Sequence, residues 1–343
     1  MAIRRDLIKL GIAGAVLGAP AVLRAQQPYK TEYRMSIAPP SNVFAWGKGA
    51  ERFAALARER TDGRITIKPY WGASLIQGQQ DREFAAMRQG IIDVLCSAPV
   101  NWSTTIKECA VFMLPFLFPD HRAYDAVITS EAMTRDFFAL IRHAGAEPLA
   151  IGETGYRQIS NSKHPIVRPA DFKGLKIRVA GAPMFQDTLN ALGANPASMP
   201  WADAYPALAS GAVDGQENPI EVFIGAKLHT LGQKFVTKWN CTNDILLFAI
   251  ANPVWQSWTP QDQEGVRSAA RDAAREQIAI VRDLYRNDVE VVRGLGVQVH
   301  VPTPEEMDEW IRATRPPFAR WKASLGADLV AKFEATVAQS RRS

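Results

Sequence analysis

Cysteine and histidine are scarce in this chain, and neither recurs at the spacing of a metal site. Three cysteines and five histidines are scattered over 343 residues. An odd number of cysteines excludes a framework in which every cysteine is paired, although a bridge between Cys96 and Cys109 stays open as an alternative. Cys96 lies in an apolar, strand-like run and is otherwise interpreted as a small buried hydrophobic residue. We therefore predict no metal and no cofactor.

Sequence patterns that indicate catalysis are also missing. The chain contains no nucleophile elbow and no paired-carboxylate motif. We therefore predict that the protein is not an enzyme. An exported hydrolase or lyase is the alternative, and turnover of a bound acid would favour it.

A dense basic patch is absent as well. Residues 1–25 carry four basic side chains and one acidic one, so +3 of the net charge of +5 belongs to them and +2 remains for residues 26–343. A nearly neutral protein does not attract nucleic acid through its net charge. We therefore predict no nucleic-acid partner.

The first 25 residues have the composition of an export signal. Arg4 and Arg5 precede a short apolar run that is rich in glycine and alanine. The adjacent arginines resemble a twin-arginine signal, and the apolar run is too short for a good membrane span. We predict a periplasmic protein that is exported by this signal and cleaved after Ala25 or after Ala21. An uncleaved membrane anchor is the alternative.

Strand and helix patterns alternate from residue 33 to residue 152. Such alternation is typical of a parallel sheet with helices on both faces. Predicted strands in this part are 33–38, 65–70, 92–97 and 147–152, and predicted helices begin at Ser41 and cover 79–89 and 123–144.

The pattern restarts near residue 153, which predicts a second α/β unit. Its predicted strands are 157–161, 175–179, 213–215 and 244–251, and its predicted helices are 183–192, 201–210 and 222–231. Together the two halves predict an α/β protein with two lobes.

A long helix is predicted after the capping residue Thr259. Its pattern continues without a breaker to about Arg293, which corresponds to roughly 45–50 Å at 1.5 Å per residue. A helix of that length reaches across both lobes; two shorter helices with a bend are the alternative. A further helix is predicted to break at Pro316-Pro317, and a last helix runs to about Ser340.

Two arginines and one amide stand out in the second half of the chain. Arg157, Arg178 and Asn218 lie in strand-like or turn-like contexts with no nucleophile or base beside them. The guanidinium group presents a planar fork of donors that matches a carboxylate. This combination predicts the capture of an organic anion.

Three segments carry a resemblance to a known family. They are Asp171–Val179 (DFKGLKIRV), Tyr205–Pro219 (YPALASGAVDGQENP) and Leu114–Phe118 (LPFLF). In this order, behind an export signal and with a long capped helix, they resemble the substrate-binding subunits of TRAP (tripartite ATP-independent periplasmic) transporters. The resemblance covers essentially the whole chain after the signal.

The resemblance implies a Venus-flytrap architecture for this chain. Two α/β lobes close on the ligand, and the long helix spans both of them. The predicted boundaries are 26–153 plus 244–283 for lobe I and 154–243 plus 284–343 for lobe II. The implied partners are a small organic anion and the TRAP membrane subunits. A sensory module that presents its closed form to a membrane receptor is an alternative.

The resemblance also implies roles for individual residues. Arg178 forms a two-point salt bridge with the ligand carboxylate, Arg157 supports the same carboxylate, Asn218 bonds the ligand, and Trp201 stacks along its body. Other interpretations are a surface position for Arg178, a bridge from Arg157 to Glu153 or Asp171, a turn-shaping Asn218 and a core Trp201. Loops of lobe I at residues 38–42, 76–80 and 97–102 supply specificity, and from their positions there we predict Trp102 and Gln79 as binding residues.

The type of anion follows from one departure from the family pattern. Sialic acid binders of this family carry a glutamate after the third strand, where this chain has Ala98 and Pro99. Sialic acid is therefore disfavoured. Trp71, Trp102 and Trp201 predict a flatter and more apolar pocket, suited to a branched, keto or aromatic acid. Monocarboxylates and dicarboxylates both stay open.

Overall fold

The computed structural model describes residues 29–342, so the predicted export signal and its two cleavage sites lie outside the described part. Ten strands and eleven α-helices alternate within these residues. The strands are β1 Tyr33–Ser36, β2 Ile67–Tyr70, β3 Val94–Ser97, β4 Ala146–Asn161, β5 Lys176–Val179, β6 Asn195–Ser198, β7 Gly215–Pro219, β8 Phe235–Thr237, β9 Asn243–Ala251 and β10 Gln298–His300. The helices are α1 Ala45–Arg60, α2 Glu83–Arg88, α3 His121–Ile128, α4 Glu131–Ala144, α5 Pro183–Ala191, α6 Trp201–Ala209, α7 Ile220–Gly225, α8 Asn252–Ser257, α9 Pro260–Gly294, α10 Pro304–Leu325 and α11 Ala327–Ser340.

The strands form one continuous path in the order β2-β1-β3-β9-β4-β7-β5-β6, and β8 joins β4 to β10. The predicted parallel pairing is confirmed for β1 with β2 and for β1 with β3. The sheet is mixed, however, because β9 runs antiparallel to both β3 and β4. We call the part around β1, β2 and β3 the first lobe and the part around β5, β6 and β7 the second lobe.

Strand β4 connects the two lobes. The separate strands predicted at 147–152 and 157–161 were wrong, because the chain continues through the intervening Glu-Thr-Gly-Tyr as one strand of 16 residues. Its first part pairs with β9, and its last five residues pair with β7. The register shifts between Glu153 and Gly155, where Gly155 has φ +98°. Glycine adopts this conformation without a steric penalty, so the strand changes direction without ending.

Helix α9 is the predicted long helix, and its continuity is confirmed over 35 residues. The Thr259 hydroxyl accepts a hydrogen bond from the Asp262 N–H at 3.1 Å and caps its start. The helix packs on α1 in the first lobe and on α7 and β10 in the second. Gln277, buried on this helix, donates to the Glu153 carbonyl and accepts from the Glu153 N–H at 3.0 Å. The helix is therefore fastened to β4 near the point where the strand changes lobes.

Several predicted elements differ from the structure for local reasons. The helix predicted over 123–144 is two helices, because the Ser130 side chain caps a new helix by accepting the Met133 N–H. The short strand predicted at 213–215 instead begins at Gly215 and continues to Pro219. Strands β6, β8 and β10 were not predicted, because β8 and β10 have only three residues each and β6 (Asn-Pro-Ala-Ser) shows no apolar alternation.

The helix break predicted at Pro316-Pro317 was wrong. Helix α10 continues through both prolines to Leu325. Proline removes a backbone hydrogen bond, but Trp310, Pro317 and Phe318 are buried on one side of this helix. Packing of that face therefore outweighs the lost hydrogen bonds.

The apolar run Phe112–Phe118 lies mostly in the core. The Phe112 ring contacts Phe118, Phe137 and Phe333, which joins the run to α4 and α11. Within residues 29–342, no helix is both long enough and apolar enough to cross a membrane. The three cysteines are buried and free, so Cys96 and Cys109 are not bridged.

The C-terminal helices pack on both lobes. Helix α10 contacts α5 of the second lobe, and α11 contacts α3, which follows the first three strands. The residue boundaries predicted for the two lobes stay a prediction.

Candidate ligand-binding site

A cleft of about 710 Å³ lies between the two lobes where β4 passes from one to the other. Both lobes contribute to its wall. The lining residues are Ala38, Pro39, Pro40, Phe44, Trp46, Gln80, Ala98, Val100, Asn101, Thr154, Arg157, Arg178, Ala180, Trp201, Asn218, Pro219, Glu221 and Val222.

Neighbouring strands of the second lobe bring its polar residues together. Arg157 lies on β4 opposite Pro219, and Asn218 lies on β7. Arg178 lies on β5, which pairs with β7 on its other side. The three residues therefore face one end of the cleft from three adjacent strands, although they are far apart in the sequence.

Arg178 is a buried cation that lacks an anionic partner. Its side chain is 2% exposed, and its Nε and Nη2 atoms donate to the Met199 carbonyl oxygen at 3.1 and 2.7 Å. Among residues 29–342, no carboxylate oxygen lies within 4.0 Å of its guanidinium group. Burial lowers the pKa of Arg178 to about 10; the Glu217 carboxylate, which lies beyond 4.0 Å, opposes this decrease, and the Arg157 charge adds to it. A buried charge without a counter-ion is unfavourable, so this group is poised to bind an anion.

Arg157, in contrast, already has a carboxylate partner. Its Nε and Nη2 atoms donate to the two carboxylate oxygens of Glu217, and Nη2 also donates to Asn218 Oδ1 at 3.0 Å. Burial alone would lower the pKa of Arg157, but the Glu217 carboxylate outweighs it and the pKa is raised. The alternative partners Glu153 and Asp171 lie elsewhere: Glu153 pairs with Arg282 at 2.9 Å.

A second carboxyl group lies behind Arg157. The Asp244 Oδ2 atom is 3.9 Å from Arg157 Nη1 and makes no hydrogen bond to the described residues. Burial raises the pKa of Asp244 to about 7; Arg157 opposes this increase and Glu217 adds to it. With Asp244 protonated, Glu217 balances Arg157, and the charge of Arg178 is left over.

Trp201 and Gln80 meet across the cleft. The Trp201 ring centroid lies 5.7 Å from the guanidinium carbon of Arg178, within the range of a cation–π contact. The backbone N–H of Trp201, in the second lobe, donates to Gln80 Oε1 of the first lobe at 3.0 Å. Trp201 therefore lies beside the free guanidinium group, and a side chain of the opposite lobe contacts its backbone.

The wall formed by the first lobe is mostly apolar. Ala38, Pro39, Ala98 and Val100 contribute to it, and the polar exceptions include Asn101. Among the described residues, no partner accepts from or donates to the Asn101 side-chain amide, although the residue is buried. Its amide is therefore available to a ligand.

Four of the six predicted binding residues line this cleft: Arg157, Arg178, Asn218 and Trp201. Trp102 does not. Its side chain is completely buried in the first lobe, where its ring packs at 5.3 Å from Phe84. The chain forms a 3₁₀ turn over Pro99–Trp102, and this turn directs Trp102 into the core.

Gln79 and Trp71 are also absent from the cleft lining. A 3₁₀ turn begins at Gln80, and this turn places Gln80 rather than its neighbour in the wall. Gln80 was predicted only as a member of the specificity loop 76–80, and Trp46 and Glu221 were not predicted. Glu221 follows the Gln-Glu-Asn-Pro motif by two positions, so its place in the sequence was a usable signal; Trp46 carried none.

The charge distribution suits binding and positioning of an anion. In the described part of the chain, no group of three or more His, Cys, Asp or Glu side chains is arranged to hold a metal ion. The cleft combines one guanidinium group without a counter-ion, a polar second-lobe wall and an apolar first-lobe wall. These features match recognition of a small organic acid through its carboxylate and its apolar body.

Solved structures of similar chains have the same fold. A TRAP periplasmic solute-binding protein from Ralstonia eutropha H16, with bound (S)-2-acetolactate, is 48% identical and superposes with a TM-score of 0.89, covering 91% of this chain and 100% of that chain. A TRAP solute-binding protein from Bordetella bronchispeptica, with ligand density interpreted as pantoate, is 27% identical with a TM-score of 0.83. The match covers 90% of this chain and 99% of that chain.

Sequence comparisons agree with the structural ones. The 2,3-diketo-L-gulonate-binding periplasmic protein YiaO of Escherichia coli K12 is 29% identical over 303 residues, which cover 87% of this chain and 88% of that protein. Residues 37–324 match the family of bacterial extracellular solute-binding proteins, family 7. The chain therefore belongs to this family and is a two-lobed solute-binding protein of the TRAP transporter type.

Proposed function

We propose that this protein binds a small branched monocarboxylate with a 2-hydroxy or keto group and delivers it to TRAP membrane subunits. The observation that carries the proposal is the buried Arg178 guanidinium, which faces the cleft without a counter-ion. A ligand carboxylate supplies the missing charge and two acceptor oxygens. Charge-assisted pairs of this kind are among the strongest hydrogen bonds in proteins.

The balance of buried charge favours one carboxylate over two. Arg157 is neutralised by Glu217, and burial raises the pKa of Asp244 to about 7. With Asp244 and Glu221 in their protonated forms, one positive charge, that of Arg178, is left to meet the ligand. A second ligand carboxylate would enter an apolar wall without a cation, which is unfavourable.

The first-lobe wall suits a compact, branched ligand body. Alanine, proline and valine side chains present apolar surface where methyl groups fit, and Asn101 and Gln80 offer amides for a hydroxyl or keto oxygen. The acetolactate and pantoate bound by the two solved relatives are both branched monocarboxylates that carry a 2-hydroxy group. Their chemistry supports this ligand class for the present chain.

Each predicted site residue has a role in this proposal. Arg178 binds the carboxylate, Arg157 donates a hydrogen bond that holds Asn218 in place, Asn218 contributes an amide, and Trp201 covers one face of the ligand. Trp102 and Gln79 act only indirectly, because neither lines the cleft. Asn101 and Gln80 take the specificity role that was expected of Trp102 and Gln79.

A thermal-shift screen tests the ligand class. A ligand that binds only the folded protein stabilises it and therefore raises the melting temperature. The stabilisation is about 2.7 kcal/mol when the free ligand concentration is one hundred times Kd. We expect (S)-2-acetolactate and pantoate to give larger shifts than succinate or sialic acid. Arg178→Ala is expected to abolish the shifts, whereas the control Lys176→Ala, at an exposed position of the same strand, keeps them. Equal shifts for succinate, or shifts retained in Arg178→Ala, would refute the proposal.

We also propose that the ligand is released unchanged and that residues 1–25 direct export to the periplasm. The family consists of solute-binding proteins, and its named relatives include periplasmic ones. Incubation with (S)-2-acetolactate should leave it chemically intact, and mass spectrometry of periplasmic protein should show a chain beginning after Ala25 or Ala21. Turnover of the acid, or an uncleaved chain in the membrane, would contradict these two points.

A further inference from the structure

Two helices begin at the cleft without a capping side chain from their own lobe. Helix α1 starts at Ala45 in the first lobe after Phe44, and helix α6 starts at Trp201 in the second lobe after Pro200. Neither preceding residue offers a side-chain acceptor. The first N–H groups of a helix have no partner within it and need an acceptor from elsewhere.

In both cases the acceptor comes from the opposite lobe. The Ala45 N–H donates to Glu221 Oε1, which lies on α7 in the second lobe. The Trp201 N–H donates to Gln80 Oε1, which lies in the first lobe, at 3.0 Å. The two contacts are reciprocal, because each lobe supplies one helix start and one acceptor.

A glycine allows the close approach at each contact. Gly225 lies one helical turn after Glu221, and a Cβ atom there would be 2.7 Å from Cε1 of Phe44. Gly78 lies two residues before Gln80, and a Cβ atom there would be 2.8 Å from Cβ of Ala202. Both distances are too short for real side chains, so these contacts require glycine.

We propose, building on the proposed ligand-binding function, that Gln80 and Glu221 are positioning residues. Each caps a helix of the opposite lobe and thereby holds the lobes closed around the ligand. Both side chains also line the cleft. The same two contacts therefore join the lobes and close the wall around the bound acid.

The contacts have a direct consequence for ligand release. When the lobes separate, water replaces each acceptor, so the caps favour the closed form only modestly. Loss of a helix cap typically weakens a structure enough to change an equilibrium about 2- to 30-fold. We expect this change mainly in the dissociation rate, because release requires the lobes to open.

The test compares closed populations with and without a ligand. Dyes at Arg58→Cys and Lys173→Cys, both exposed and on different lobes, report lobe separation by single-molecule fluorescence transfer. In the ligand-free chain, Glu221→Ala and Gln80→Ala should each lower the closed fraction. Glu221→Gln keeps an acceptor oxygen and should therefore restore the closed fraction that Glu221→Ala lowers. Glu309→Ala and Gln89→Ala, at exposed positions, serve as matched controls.

Two further measurements separate capping from direct ligand contact. Gly225→Ala keeps both capping side chains but forces Phe44 away, and it should lower the closed fraction as Glu221→Ala does. The dissociation rate of (S)-2-acetolactate should rise about 2- to 30-fold in all three variants.

The outcomes distinguish this proposal from the proposed function. Failure of (S)-2-acetolactate to bind the wild type contradicts the ligand class alone, and the ligand-free closed fractions still decide the capping role. Wild-type closed fractions in Glu221→Ala, Gln80→Ala and Gly225→Ala would overturn the capping role even if the acid binds.

Discussion

The two walls of the cleft differ in chemistry. The second-lobe wall contains both guanidinium groups, an amide and the paired carboxylate Glu217 behind them, on three adjacent strands. The first-lobe wall is built of alanine, proline and valine with the amides of Gln80 and Asn101. The second wall therefore recognises a charge that every carboxylic acid shares. The first wall contacts the part of the molecule that differs between acids.

This difference separates affinity from selectivity. A change in the second-lobe wall should weaken all ligands alike, because it removes the common contact. A change in the first-lobe wall should alter the order of ligands more than the strength of binding. The following predictions test that division, from the largest expected effect to the smallest.

Glu217→Ala should have the largest effect, and it should act on folding. The substitution leaves Arg157 buried with only the more distant Asp244 as a possible counter-ion. Breaking a buried ion pair typically costs about 3–5 kcal/mol of the free energy of unfolding. Chemical denaturation at pH 7 measures it, with Glu309→Ala as the exposed control. A loss below about 1 kcal/mol would show that the pair is not important for stability.

Arg178→Met should abolish or strongly weaken binding of every acid. Loss of a buried charge contact typically costs about 2–5 kcal/mol, or at least about 30-fold in Kd. The ligand-free variant should be no less stable than the wild type, because burial of this unpaired cation opposes folding and lowers its pKa to about 10. Calorimetry and thermal melting measure the two effects. Selective loss for only some acids would contradict the proposed division between the walls.

Ligand affinity should fall as pH rises from 6 to 8. Burial raises the pKa of Glu221 from 4.5 to about 7, although the Ala45 N–H and Lys48 on α1 oppose the increase. The other charged side chains that line this cleft are Arg157 and Arg178. A raised pKa in the closed form means that closure takes up a proton. The resulting gain in ligand affinity is complete below the ordinary pKa of Glu221 and is lost as pH rises through 7. Between pH 6 and pH 8 the affinity should fall by up to about tenfold.

The Glu221→Gln variant isolates this contribution, since Asp244 also has a pKa near 7. The variant cannot titrate at position 221 but keeps an acceptor for the Ala45 N–H. Calorimetry at pH 6, 7 and 8 should therefore give a flatter pH profile for the variant than for the wild type. Identical slopes would exclude Glu221 as the source.

Asn101→Ala should have the smallest effect on affinity and the largest on ligand order. A single neutral hydrogen bond contributes about 0.5–1.5 kcal/mol, or roughly 2- to 12-fold in Kd. Acids with a hydroxyl or keto oxygen at position 2 should lose this amount, whereas matched acids without it should not. The measurement compares the Kd of pantoate with the Kd of its analogue lacking the 2-hydroxyl group, in the wild type and in the variant. An equal loss for both would place Asn101 away from that oxygen.

The second-lobe wall was easier to predict from the sequence than the first. Arg157, Arg178 and Asn218 lie in regular strands within recognisable motifs, so their positions were foreseeable, whereas the pairing of Arg157 with Glu217 was not. Trp102 ends one 3₁₀ turn and Gln79 immediately precedes another, and at such turns a shift of one residue decides between the core and the cleft. Such turns are too short to show a hydrophobic period, so the sequence pattern does not indicate which of their residues face the core. The contact between Glu221 and Ala45 joins residues 176 positions apart, so it depends on how the lobes meet.

The continuity of β4 has a consequence for how the molecule is made. Because one strand pairs with β9 up to Tyr156, just after Gly155, and with β7 from Arg157 onward, neither half has a complete sheet alone. A chain cut at this glycine would expose unpaired strand edges in both fragments and invite aggregation. The two lobes must therefore fold together from one continuous chain, since neither half completes its sheet without the other.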